Sequence, residues 1–150
     1  MRYQWSKLNR IQKGTFGEYF AKMEFTMYGF EVYTSEVDDR GIDFVVRHGN
    51  GAFLEVQVKS VSDNNLQFVN ASKFKQSDQF VVLLVRLTEL FEPQLYLFLG
   101  TDWPSSDGLL VYSPYEGKKS EAAYEIRLAK SRNEILETYN FDTRVKQIGA

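Results

Sequence analysis

A row of polar side chains on one segment of the chain is the first feature that suggests chemistry. In residues 53–59 every second position is apolar, and the positions between carry Glu55, Gln57 and Lys59. In a β-strand this period of two sends the apolar side chains to one face and the three polar groups to the other. Adjacent hydrogen-bonding groups on such a strand usually need a shared partner. The polar row therefore predicts a binding or catalytic cluster.

A further acid joins this cluster if the preceding segment pairs with the same strand. Residues 49–51 (Gly-Asn-Gly) tolerate positive φ and would close a three-residue hairpin between His48 and Ala52. In that register Asp43 lies opposite Gln57, on the same face and about 5 Å away at Cβ. A loop one residue longer or shorter would turn Asp43 to the other face. The register is therefore a test of the predicted cluster.

The oxygen atoms of this cluster suit Mg²⁺, which prefers octahedral oxygen coordination and keeps several of its waters. The Asp43 carboxylate and the Val58 carbonyl would supply two ligands, and either Gln57 or Glu55 would supply a third. Lys59 would orient the attacking water or stabilise the charge that builds on a phosphate. The cluster predicts phosphodiester hydrolysis with Mg²⁺, for which Mn²⁺ would substitute.

At these residues the chain resembles the PD-(D/E)XK nuclease superfamily. Its members carry a glutamate on an opening helix, an aspartate on the next strand and, after a hairpin, a strand ending in acid-x-Lys. Glu18 matches the first part, Asp43 the second and residues 57–59 (Gln-Val-Lys) the third, within a resemblance covering roughly residues 10–62. The resemblance implies an α/β fold with a restriction-endonuclease-like core, in which helices flank a mixed central β-sheet. It also implies a metal-dependent endonuclease that acts on DNA.

The chain departs from the superfamily pattern at two positions. Gln57 stands where most members have Asp or Glu, which removes one negative charge from the implied metal site, although Gln-x-Lys variants occur. Ile42 precedes Asp43 where many members have Pro, a position without a chemical role. Glu55 either restores the lost charge or hydrogen-bonds the neighbouring strand. The implied catalytic residues are Glu18, Asp43, Gln57 and Lys59, and the implied metal ligands are Asp43, Gln57, Val58 and Glu55.

Each residue also has a structural interpretation. Asp43 and Lys59 would form an ordinary ion pair on a half-exposed sheet, and acids such as Glu18 are common near helix starts because they favour the dipole. Residues 38–40 (Asp-Asp-Arg) indicate a solvated turn before the strand. We expect no metal role for His48, the single histidine, because a hairpin tip is exposed and offers no His or Cys companion.

The composition is that of an ordinary globular chain. The chain has 150 residues, of which 43% are hydrophobic and 25% are charged, so one domain spanning residues 1–150 is expected. The absence of cysteine excludes disulfides and thiolate zinc sites and agrees with a reducing compartment. Neither a membrane-spanning run nor a signal peptide is visible, so we expect a cytoplasmic protein.

The net charge of −2 argues against a surface coated in basic residues, but a nuclease needs only one stripe facing the phosphates. Paired basic residues on a surface are more often solvated than functional. The candidate members of such a stripe are Lys73 and Lys75, Lys118 and Lys119, and Lys130 and Arg132.

Hydrophobic periodicity predicts the elements that position the cluster. A long helix, N-capped by Ser6, stops at Gly29, and a capping box at residues 131–134 opens a C-terminal helix. Residues 124–128 alternate between apolar and polar side chains, which predicts an edge strand. Trp103 is expected to cover the sheet rather than enter a DNA groove. Other strands are predicted at residues 30–34, 42–47, 53–61, 66–69, 80–85 and 95–99, with the fifth buried on both faces and paired with the sixth.

Three functions remain compatible with these residues. The first is a Mg²⁺-dependent endonuclease acting on DNA as a homodimer or higher homo-oligomer, because a small chain reaches two strands by pairing. The alternative is a non-catalytic nucleic-acid-binding or assembly module, favoured by the missing acid at Gln57. The third is a structural protein whose polar face closes against a partner subunit. Metal binding at Asp43 separates the endonuclease from the other two functions. The sequence does not specify which DNA is recognised, nor whether the setting is restriction, homing, transposition or repair.

Overall fold

Two β-sheets and one long helix make up most of the fold, which a computed structural model describes for residues 1–34, 41–114 and 120–148. The larger sheet has five strands in the order β1-β2-β3-β5-β6 and the smaller has three in the order β4-β8-β7. Among the strands that the structure describes, only β3 and β5 pair in parallel, so the larger sheet is mixed, as predicted. The strands are β1 (Glu31–Tyr33), β2 (Phe44–Arg47), β3 (Leu54–Val61), β4 (Gln67–Asn70), β5 (Phe80–Arg86), β6 (Gln94–Leu99), β7 (Leu110–Ser113) and β8 (Ala123–Ile126).

The long helix α1 (Arg10–Met27) begins later than predicted. Ser6 lies in a separate 3₁₀ turn, so its assignment as the N-cap was wrong. Asn9 caps α1 instead, because its Oδ1 accepts from the Gln12 N–H at 2.8 Å while Gln12 Oε1 accepts from the Asn9 N–H at 2.9 Å. This reciprocal pair is a capping box, and it satisfies two backbone donors at the helix start. The stop at Gly29 is confirmed by its φ of +85°.

Strand β3 separates two hydrophobic cores. Leu54 and Val56 belong to the core beneath α1, whereas Val61, on the other face, belongs to the core beneath the smaller sheet. The neighbouring strand β5 is buried on both faces from Phe80 to Val85, which confirms its predicted central position. The odd-numbered side chains of β3, which include Glu55, Gln57 and Lys59, therefore face the smaller sheet. The even-numbered side chains face α1.

The smaller sheet differs from the sequence prediction. Strand β8 lies between β4 and β7, so its assignment as an edge strand was wrong, and β7 was not predicted at all. A period of two reports that one face of a strand is buried but not how many neighbours the strand has. The predicted covering role of Trp103 is confirmed, since the side chain is buried and its Nε1 donates to the Glu125 carbonyl at 3.0 Å.

The C-terminal part forms two short helices, α2 (Asn133–Glu137) and α3 (Phe141–Arg144). The predicted capping box at residues 131–134 was wrong, because a 3₁₀ turn occupies Lys130–Arg132 and no side chain caps α2. Backbone groups near α3 cover part of edge strand β6, since the Leu97 N–H donates to the Tyr139 carbonyl at 2.8 Å. Among the described residues, no helix is long and apolar enough to cross a bilayer.

The contact between α1 and β3 depends on Gly17. A Cβ at this position would lie 2.0 Å from Ser60 Oγ and 3.5 Å from Val85 Cγ2. We therefore expect Gly17→Ala to destabilise the fold by about 1–3 kcal/mol through overpacking. Chemical denaturation followed by circular dichroism measures this.

Gly14→Ala is the matched control in the same helix, because nothing lies within 4 Å of a Cβ there. It should stabilise the protein by roughly 1 kcal/mol, the difference in helix propensity. Equal effects of the two substitutions would contradict the close packing at Gly17.

Candidate metal centre

The hairpin between β2 and β3 has the predicted register. Phe44 lies opposite Val56, and continuing that register places Asp43 opposite Gln57. The Asp43 N–H also donates to the Val56 carbonyl at 2.9 Å. In the connecting turn Gly49 has a φ of +55°, which glycine adopts without strain. The local sequence of the turn thus brings Asp43 to the polar face of β3.

Three groups converge at this point. The Val58 N–H donates to Asp43 Oδ2 at 2.7 Å, and Gln57 Nε2 donates to the same oxygen at 3.3 Å. Gln57 Nε2 also lies 3.5 Å from the Val58 carbonyl oxygen. Because β2 begins at Phe44, the Asp43 carboxylate takes the place of a strand partner for the Val58 amide. The Gln57 side-chain amide is therefore held within 3.5 Å of both an Asp43 carboxylate oxygen and the Val58 carbonyl oxygen.

Lys59 follows Gln57 on the same face of β3 and is partly buried. Burial lowers the pKa of Lys59, while the Asp43 carboxylate opposes this effect. The positive charges of Lys73 and Arg10 lower the pKa of Lys59 further. The Lys59 amine is thus more easily deprotonated than an exposed lysine and lies among three other charged groups.

A cavity of about 240 Å³ opens beside Gln57 and Lys59. Its opposite wall is formed by Phe68 and Asn70 of β4 and by Lys73, which follows that strand. Phe68 and Asn70 were not among the predicted site residues. No local signal marks them, because only the packing of the smaller sheet against the larger brings β4 across from β3.

Gly41 allows Lys73 to approach this cavity closely. The φ of Gly41 is +71°, and a Cβ there would lie 2.7 Å from Lys73 Cδ. Both the backbone conformation and the contact therefore favour glycine. The aliphatic part of Lys73 packs beside Gly41, and Lys73 and Lys59 both line the cavity.

The other two predicted acids each have a lysine partner. Glu55 binds Lys75 Nζ at 2.7 and 2.8 Å through its two oxygens. Glu18, on α1, lies 3.7 Å from Lys22 Nζ, one helical turn further on. A role for Glu55 as a metal ligand would require its ion pair with Lys75 to open.

The remaining sequence predictions have mixed outcomes. Residues 38–40 and the pair Lys118 and Lys119 lie outside the described residues. His48 is exposed and its ring packs against Phe30 at 5.1 Å between centroids. Arg132 donates to the Arg127 carbonyl at 3.2 Å, so this member of the proposed basic stripe contacts the backbone of its own chain.

The donor set at Asp43 fits Mg²⁺. Within the described residues, no three or more His, Cys, Asp or Glu residues lie together so that they could hold a metal ion. One carboxylate, one amide and one carbonyl are nevertheless available. A half-turn of the Gln57 amide exchanges Nε2 for Oε1, which would place a third oxygen near those of Asp43 and Val58. With water completing the shell, these three oxygens are an adequate protein contribution.

Comparison with known proteins supports the fold. No protein-family model matches the chain, and no curated protein matches it by sequence. The chain is similar to the bacterial homing endonuclease I-Ssp6803I, with a TM-score of 0.55, 19% identity and 94% of each chain covered. It is also similar to the Holliday junction resolvase Hjc of the archaeon Archaeoglobus fulgidus, with a TM-score of 0.50, 15% identity, and 82% of this chain and 88% of the resolvase covered. The likeness to these two structures confirms the predicted restriction-endonuclease-like fold class.

Two substitutions should shift the pKa of Lys59 in opposite directions. Asp43→Asn removes the negative charge that raises it, so the pKa of Lys59 should fall further below its usual value. Lys73→Gln removes a positive charge that lowers it, so the pKa should rise. NMR titration of the ¹⁵N-labelled lysine amine, without divalent ions, measures both shifts.

The exposed Lys146 supplies the control, and Lys146→Gln should leave the pKa of Lys59 unchanged. Shifts of the same sign in the Asp43→Asn and Lys73→Gln variants would contradict the arrangement of charges around the cavity.

Proposed function

We propose that the protein is a Mg²⁺-dependent endonuclease that hydrolyses phosphodiester bonds in DNA, with Mn²⁺ able to substitute. The observation that carries this proposal is the 2.7 Å hydrogen bond from the Val58 N–H to Asp43 Oδ2, which holds the carboxylate beside Gln57. Lys59 completes the acid, amide and ammonium set on the same face. The two structural neighbours, a homing endonuclease and a junction resolvase by name, support the same class of reaction.

Each group in the site has a proposed role. Asp43, Gln57 and the Val58 carbonyl would hold the ion. The chemistry that Mg²⁺ supplies when bound is polarisation of a phosphoryl oxygen and a lower pKa for water. Lys59 orients the attacking water or stabilises charge on the phosphate, and its lowered pKa permits it to hold or release a proton at Nζ.

Three further residues surround this centre in the proposal. Lys73 lies across the cavity from Gln57 and binds a phosphate of the DNA backbone as a point charge. Glu55 and Glu18 are accessory acids, and each is now paired with a lysine. Release of Glu55 from Lys75 would add the negative charge that Gln57 lacks at the usual acid position.

A non-catalytic nucleic-acid-binding module on the same fold is the second candidate. One observation favours it: within the described part of the chain, no set of three acids or histidines forms a metal site. Such a module would keep the basic groups Lys59, Lys73 and Arg10 for phosphate contacts but would have no need to bind a divalent ion at Asp43.

Cleavage of supercoiled plasmid and branched DNA with Mg²⁺ or Mn²⁺ tests the first proposal. The parent protein should nick at least one of these substrates, and EDTA should abolish the activity. Asp43→Ala and Lys59→Ala should each lower the rate on the order of 10²-fold or more, since each removes a group from the reacting centre.

The control for these variants is Lys146→Ala, an exposed lysine, which should cleave as the parent does. Cleavage by Asp43→Ala at the parental rate would contradict the site. Metal-independent DNA binding by all variants without cleavage would favour the non-catalytic module.

The proposed phosphate contact of Lys73 has its own readout. Lys73→Gln should weaken binding to duplex DNA and reduce the slope of log K against log salt by about 1, because one fewer counterion is released. Fluorescence anisotropy at several salt concentrations, with Ca²⁺ in place of Mg²⁺, measures the slope.

Lys146→Gln changes the net charge equally and should leave that slope unchanged. The same loss in both variants would show that Lys73 acts only through overall charge and makes no phosphate contact of its own.

A further inference from the structure

One face of the larger sheet is open beside the candidate metal centre. The core beneath the smaller sheet takes its larger-sheet residues from β3, β5 and β6. Within the described residues, that core includes none from β1 or β2. The odd-numbered side chains of β1, of β2 and of the start of β3 therefore lie on a part of the sheet that the smaller sheet leaves uncovered.

Two exposed aromatic rings lie on this open face. Tyr33 of β1 is 43% exposed, and Phe53, directly before β3, is 51% exposed. Their ring centroids are 5.8 Å apart. The Arg47 guanidinium lies over the Phe53 ring, 4.6 Å from its centroid. A single exposed ring needs no explanation, but adjacent rings with a cation over one of them indicate a binding surface. We call Tyr33, Arg47 and Phe53 the aromatic surface.

The strand register places the aromatic surface on the same face as the candidate metal centre. Tyr33 lies opposite Val45, and Val45 lies opposite Glu55. Directly opposite residues share a face, and so do residues two apart in one strand, so Phe53, Glu55 and Gln57 follow one another on that face. Four residues separate Phe53 from Gln57, which gives about 13 Å, the rise of roughly four stacked nucleotides. A DNA strand with a phosphate at the centre thus reaches the rings within a few nucleotides.

The charges on the open face are balanced. Glu31 accepts a hydrogen bond from the Tyr33 hydroxyl and lies opposite Arg47, and Glu55 binds Lys75. Each of these two basic residues is therefore accompanied by an acid, so attraction for phosphates adds little affinity here. Any affinity of this surface for nucleic acid must come from the rings.

Aromatic rings bind nucleic acids by stacking on the faces of bases. In a duplex these faces are covered by the neighbouring base pairs, whereas an unpaired base can present its face to a protein ring. Stacking also tolerates any sequence, because every base has such a face. The aromatic surface therefore favours unpaired nucleotides over continuous duplex.

We propose that the aromatic surface binds unpaired nucleotides of the DNA strand whose phosphate lies at the candidate metal centre. The substrate class is then DNA with a single-stranded segment a few nucleotides from the cleaved bond, as in a gap, a flap or a splayed fork. One base stacks on Phe53, and a neighbouring base contacts Tyr33. The inference rests on the nuclease function proposed above, because the metal centre fixes which phosphate the strand presents.

Fluorescence anisotropy with Ca²⁺ in place of Mg²⁺ tests binding without cleavage. The probes are a labelled single strand, a continuous duplex of the same sequence and that duplex with a short gap. The parent should bind the gapped duplex roughly tenfold more tightly than the continuous duplex. Phe53→Ala and Tyr33→Ala should each weaken binding to the single strand and the gapped duplex by roughly tenfold, the loss expected for one stacking contact, and should leave binding to continuous duplex unchanged.

Two controls separate stacking from other effects. Phe91→Ala removes a ring that is 66% exposed, between β5 and β6, and should leave binding to all three probes unchanged. Phe53→Leu keeps an apolar side chain without a stacking face and should bind as weakly as Phe53→Ala, whereas Phe53→Trp should bind unpaired DNA at least as tightly as the parent. The slope of log K against log salt should stay the same in all Phe53 variants, because no phosphate contact is lost.

The outcomes distinguish this inference from the proposed function. Equal affinity of the parent for gapped and continuous duplex would overturn the inference even if the parent cleaves plasmid DNA. Binding of unpaired DNA by Phe53→Ala as tightly as by the parent would overturn it as well. A parent that cleaves no substrate but loses binding to unpaired DNA in Phe53→Ala would contradict the nuclease function and support the aromatic surface.

Discussion

The hydrogen bond between the Val58 N–H and the Asp43 carboxylate is the constraint on which the candidate site depends. It exists only because β2 and β3 pair in a register that places Asp43 opposite Gln57, just beyond the first residue of β2. A shift by one residue would send Asp43 into the core beneath α1. The same shift would expose Phe44 and Val46, which are now fully buried. The same register therefore buries the apolar side chains of the hairpin and places Asp43 at the site.

The charge balance around this hydrogen bond explains why the cluster suits an anionic substrate and a cation together. Lys59 and Lys73 line the cavity, and Asp43 lies beside Gln57 at its edge. Burial lowers the pKa of Lys59, the charge of Asp43 opposes this, and repulsion from Lys73 and Arg10 lowers the pKa further. A phosphate entering the cavity would relieve that repulsion, and a divalent ion would meet oxygen ligands on the side of Asp43. Glu55, held by Lys75, is the nearest acid on the same strand face that could add negative charge.

The sequence predicts the half of the site that depends on local structure. Asp43, Gln57 and Lys59 follow from strand alternation and a short turn, both of which operate over a few residues. The opposite wall of the cavity cannot be predicted from local structure. Phe68 and Asn70 reach it through a second sheet whose central strand, β8, is more than fifty residues away in the chain. The helix start at Asn9 was missed for a different reason: Ser6 is also a residue type that caps helices, but it lies in a separate 3₁₀ turn, and α1 begins only after Asn9.

Anomalous diffraction from crystals grown with Mn²⁺ would test the central claim most directly, because it locates the ion independently of any choice of DNA substrate. The account predicts a peak within coordination distance of an Asp43 carboxylate oxygen, the Gln57 side chain and the Val58 carbonyl, and no such peak in crystals of Asp43→Ala. A peak elsewhere, or none at Asp43 under Mn²⁺ concentrations that saturate other sites, would contradict it. In that case the cluster would be a phosphate-binding surface without metal chemistry.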